Sequence, residues 1–127
     1  MTTARRVHRA PAPPANAVTW VTPGRAVVAR RRADGGISLL RLERRLPLED
    51  EEQFLVRVSL DVGPARRVMV LGPVLDRVRF ERVDVAIHGR PERLVDGPAD
   101  SYEPPTIDEL EPLLEPSPGL AAAGRAR

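Results

Sequence analysis

Val68-Met69-Val70-Leu71 is a continuous apolar run, too short for a helix, with Arg67 before it and the turn pair Gly72-Pro73 after it. A strand with one wet face alternates apolar and polar residues; an unbroken run of this length belongs to a central strand covered on both faces. The chain must therefore be layered around a sheet.

The segments on either side supply the rest of such a sheet. Ala17 to Thr22 is a short apolar run around Val18, Trp20 and Val21, ending at the turn signal Pro23-Gly24. Arg25 to Arg32 gives a second strand. Asp34-Gly35-Gly36 marks a tight hairpin, because such turns need positive φ and glycine adopts it without steric cost. Ile37, Leu39, Leu40 and Leu42 then form a third strand, with Arg41, Glu43 and Arg45 alternating against Leu40 and Leu42. The three strands form an antiparallel meander.

Beyond Pro47, Glu49, Asp50, Glu51 and Glu52 fall where a helix begins and favour its positive end, and Phe54, Leu55, Val58 and Val62 recur at helical spacing up to Gly63-Pro64. After the central strand, Pro73 suits a first helical position. Val74, Leu75 and Val78 are predicted as the inward stripe of a helix ending near Arg82. Val83 to Ile87 reads equally as helix or strand, and Arg93 to Asp96 as a short closing strand. The fold class is α+β: a mixed sheet of three antiparallel strands followed by helix, strand and helix.

Three stretches follow: a disordered basic arm over 1–16, a single α+β domain over 17–97, and an acidic, Pro-rich, mostly disordered tail over 98–127. In that tail Thr106-Ile107-Asp108-Glu109 is a capping box. Pro112 breaks the helix it starts, leaving Leu110, Leu113 and Leu114 as a short apolar patch suited to a protein partner.

All twenty basic residues are Arg, a composition that also fits the codon usage of a GC-rich genome. Their distribution is uneven. Residues 1–46 hold ten Arg against Asp34 and Glu43, a net +8; residues 47–96 come to −2, and residues 97–127 to −4. Arg30, Arg31, Arg32, Arg41, Arg44 and Arg45 on the hairpin are the candidate nucleic-acid-binding residues, since guanidinium groups match phosphate bidentately. His88, Arg90 and Arg93 are a candidate anion-binding cluster.

Other chemistries find less footing. Cysteine is absent, which removes disulfides, thiolate metal sites and cysteine nucleophiles. Ser38, Ser59, Ser101 and Ser117 lack a nucleophile-elbow context, so no catalytic residue is assigned. Four aromatic residues are too few for a base-stacking platform. No apolar run reaches the ~20 residues of a membrane span, and Arg5, Arg6 and Arg9 lead into Pro and Ala instead of a signal-peptide core. The expected location is the cytoplasm; no cofactor or metal is expected.

Three strands, helix, strand, helix is also the order of the ribonuclease H-like fold, whose nucleases hold metal with acids on the first strand, first helix and fourth strand. Neither Ala17-Val18-Thr19-Trp20-Val21-Thr22 nor Val68-Met69-Val70-Leu71 carries a carboxylate, so by that comparison a two-metal nuclease is not implied. With Gly72-Pro73 following the apolar strand, residues 17–96 resemble the middle domain of the Pelota and archaeal/eukaryotic release-factor family and its small bacterial relatives. That resemblance implies action at the ribosome. The Gly-Gly-Gln hydrolysis motif of true release factors is missing, so peptide release is not implied. The expected function is a non-catalytic RNA- or ribosome-associated module; the alternative is a protein-interaction or regulatory domain acting through the acidic tail.

Overall fold

The computed structural model describes residues 14–97 and 101–116. Strands β1 (Ala17–Val21), β2 (Arg25–Arg31) and β3 (Ile37–Glu43) form the antiparallel meander. Helix α1 (Glu51–Val62) leads to β4 (Val68–Leu71), helix α2 (Val74–His88) and, after a short 3-10 turn, β5 (Leu94–Asp96). A one-turn helix α3 (Ile107–Leu110) follows. The result is a mixed α+β fold with a five-stranded sheet in the order β3-β2-β1-β4-β5. Strand β4 pairs parallel with β1 on one side and with β5 on the other.

All four residues of β4 are buried, as an unbroken apolar strand requires. Val68 and Val70 point to one face with Ala17, Val21, Val28, Leu42, Phe54, Val58 and Phe80, the core beneath α1 and α2. Met69 and Leu71 point to the other, with Val18, Trp20, Val27 and Ala29. At the end of β4, Gly72 adopts φ of +124°, where a Cβ would collide with the Val21 carbonyl oxygen, so only glycine fits.

Helix α1 begins in a capping box: Asp50 accepts from the Gln53 amide at 2.7 Å, and the Gln53 side chain accepts from the Asp50 amide at 2.9 Å. Helix α2 corrects the expected inward stripe. Val74, Leu75 and Val78 are 52%, 59% and 42% exposed, while Phe80 and Asp84 are fully buried. The helix runs to His88, settling Val83 to Ile87 as helical, and ends at Gly89 in the left-handed conformation.

The second correction concerns the tail. Residues 101–116, expected to be mostly disordered, lie against the sheet's second face. Leu110 and Leu114 are 0% and 2% exposed and pack with Trp20, Val27, Met69 and Leu71, with Leu113 alongside. The indole of Trp20 donates to the Ser101 carbonyl at 3.1 Å. Ala15, placed by the sequence in the disordered arm, is fully buried and bridges Leu114 in parallel. The remainder of the arm and the end of the tail lie outside the described residues. The patch assigned to a protein partner thus closes the protein's own core, because Met69 and Leu71 need a cover and the helices lie on the opposite face.

Candidate nucleic-acid interface

The hairpin arginines do not act as one cluster. Successive side chains of a strand point to opposite faces, so Arg30 and Arg31 diverge. Arg30 turns toward α1, donating from Nη2 to the Asp61 carbonyl at 2.6 Å and to that of Val62. Arg31 turns the other way and clamps the C-terminal segment. It donates to both Glu111 carboxylate oxygens at 3.1 and 3.2 Å and to the Glu111 and Leu114 carbonyls at 3.1 and 3.3 Å; its side chain is 13% exposed.

Arg32 at the hairpin tip is solvent-facing and paired with Asp34 at 3.2 Å, the two side chains 54% and 67% exposed. Arg41 sits opposite Val27 on the middle of β3 and is exposed. Arg44 donates from Nε to the Glu49 carbonyl at 2.8 Å, and Arg45 projects past the end of β3, exposed. The Arg41 side chain holds no partner among the described residues; that of Arg45 makes no hydrogen bond or salt bridge there, though its charge helps to lower the Glu49 pKa. Arg25, opposite Glu43, stacks over the Trp20 ring at 5.4 Å. At about 3.3 Å per residue, the six hairpin arginines spread over roughly 25 Å instead of converging.

Near the end of the hairpin, Arg57 of α1 grips Glu49 with both arms at 2.9 Å, and the Arg45 amide adds a hydrogen bond at 2.8 Å. Those bonds hold the Glu49 carboxyl at about 2, down from 4.5. A depressed folded pKa gives stability that is complete above the unfolded value and lost as the group protonates in the folded state. Thermal melts should therefore fall between about pH 4.5 and pH 2 more steeply for the native chain than for Glu49→Gln; parallel curves would refute the clamp.

The predicted anion cluster is also dispersed. Arg93 is wholly buried and already neutralised: Nη2 and Nε meet Asp84 at 2.8 and 3.1 Å, both side chains 0% exposed, and Nη1 donates to the Gly63 and Ala65 carbonyls at 2.7 and 2.8 Å. Ser59 donates to the same carboxylate at 2.6 Å, and His88 Nε2 approaches the Ser59 carbonyl at 3.2 Å. Arg90 pairs with Glu92 on the surface at 3.3 Å. An external anion finds no open guanidinium at Arg93.

Sequence reasoning missed this polar core. Its signal is Asp84, a carboxylate on the inward side of α2, which burial permits only with a cationic partner. Together Arg93 and Arg30 satisfy carbonyls at and beyond the end of α1, a helix with no basic residue in its own last turn.

No protein-family model matches the chain, and no curated protein matches it. Among solved structures, the crystal structure of Pelota from Archaeoglobus fulgidus is similar, with a TM-score of 0.57 and 16% identity, over 88% of this chain and 34% of that one. The chain therefore spans about a third of the length of that protein. At this identity the likeness is one of fold.

Proposed function

We propose that this chain is a non-catalytic module that binds RNA, on its own or within the ribosome, through the solvent-facing guanidinium groups of the hairpin. The observation that carries this reading is that the Arg41 and Arg45 side chains are exposed and form no hydrogen bond or salt bridge among the described residues, that of Arg45 acting on Glu49 only through the charge it places nearby. Arg32, at the opposite end of the hairpin, adds a third contact, because an exposed ion pair such as Arg32–Asp34 contributes little and exchanges readily for a phosphate. Glu43 interrupts the row, which favours separate phosphate contacts over a continuous basic groove.

The Pelota-like fold supports a translation-related setting, as does the sequence resemblance to a family acting at the ribosome. The order β3-β2-β1-β4-β5 supports a ribonuclease H-like arrangement. A cytoplasmic location belongs to the same reading; among the described residues no helix is long and apolar enough to cross a membrane.

Fluorescence anisotropy of a labelled RNA oligonucleotide, single-stranded and hairpin, across a salt series tests the proposal. Affinity should fall steeply with salt. Replacing Arg41 or Arg45 by Ala should lower the magnitude of the salt slope by about one each, for every RNA sequence alike. No binding at low ionic strength would end it.

A further inference from the structure

Helix α2 carries an apolar stripe that nothing in the described chain covers. Val74 and Val78 are exposed and Val85 half-buried, and Glu81 and Arg82 stand midway between Val78 and Val85. A groove of about 520 Å³ runs beside the stripe, between Val78, Glu81, Arg82 and Val85 on the helix and Leu94 and Asp96 on β5, an edge strand of the sheet.

The order Val78-x-x-Glu81-Arg82-x-x-Val85 is self-complementary. A two-fold axis crossing the helix between Glu81 and Arg82 brings Val78 against Val85 of a second copy and Glu81 against its Arg82, each contact occurring twice. Such pairing of one patch with itself is what a two-fold interface demands.

Within the single chain Arg82 is open and Glu81 is only half-buried. Arg82 has no partner among the described residues. Glu81 shares a side-chain hydrogen bond with Asp96, and burial first and then that neighbour push its carboxyl above the usual range, against the nearby charge of Arg77. The cation beside it, Arg77, reaches Asp96 at 3.2 Å and the Gly72 carbonyl at 2.9 Å.

We propose that the chain self-associates through α2, with antiparallel helices related by a two-fold axis between Glu81 and Arg82. One helix stripe and its rim make a small interface, at or below about 1,200 Å² in total, so association is concentration-dependent and not obligate. The proposal stands apart from the RNA reading.

Sedimentation velocity on the full chain over a concentration series tests it. The expected result is a monomer that shifts to dimer as concentration rises. Arg82→Glu and Glu81→Arg should each weaken association by about tenfold or more, since two attractive contacts become repulsive. The double exchange Glu81→Arg with Arg82→Glu restores the pairing and should recover it, as should an equimolar mixture of the two single variants. Circular dichroism confirms that each variant is folded. A monomer at every concentration, single variants that associate normally, or a double exchange as weak as the singles would each overturn the proposal.

Discussion

Replacing the buried Arg93 by Met should cost about 3–5 kcal/mol of folding stability. The change leaves the Asp84 carboxylate, fully buried, with Ser59 and a distant His88 in place of a bidentate guanidinium. It also strips the Gly63 and Ala65 carbonyls of their donor. For a domain whose total stability is on the order of 5–15 kcal/mol, such a loss brings the unfolding midpoint close to ambient conditions. Removing both charges, as Asp84→Leu with Arg93→Met, should recover much of it, because a well-packed apolar pair of similar volume is about as stable as a buried ion pair. Urea unfolding of the two variants separates these cases. An Arg93→Met protein of native stability would show that the pair is not buried.

Leu110→Ala should cost about 2–5 kcal/mol, as for other fully buried leucines. Leu110 fills the space above Trp20, Val27 and Met69, and truncating it opens a cavity on the sheet's second face. Leu113, only half-buried, should cost clearly less when changed in the same way. A free tail would give no effect at either position, so urea titrations of the two variants discriminate a packed strap from a loose one.

Local signals were the legible ones. Asp34-Gly35-Gly36 placed the hairpin, and the acids before Phe54 placed the start of α1. The apolar run of β4 implied two covered faces, and that implication contained the clue to the strap: Met69 and Leu71 need an apolar partner, and Leu110 and Leu114 behind the Thr106 cap supply it. What obscured it was distance, since about forty residues separate the strand from its cover.

The outward turn of Val74, Leu75 and Val78 was illegible for a different reason. Helix α2 has apolar residues around its circumference, so periodicity does not choose a face; Phe80 and Asp84 do, and Asp84 is an unexpected core residue until Arg93 is placed beside it. The consecutive Arg30, Arg31 and Arg32 invited a single patch, although the two-residue period of a strand already sends neighbours apart. Arg30 and Arg31 serve the fold, one at the end of α1 and one on the strap. Arg44 also bonds its own chain, at the Glu49 carbonyl, so the proposed RNA contact rests on Arg32, Arg41 and Arg45.

That division of labour is tested most directly by RNA binding across the salt series, comparing the Arg41→Ala/Arg45→Ala double variant with the native chain, a thermal melt run on each sample. The account predicts an unchanged melting temperature, weaker binding and a salt slope smaller in magnitude by about two. A double variant that binds RNA with native affinity and native slope would contradict it.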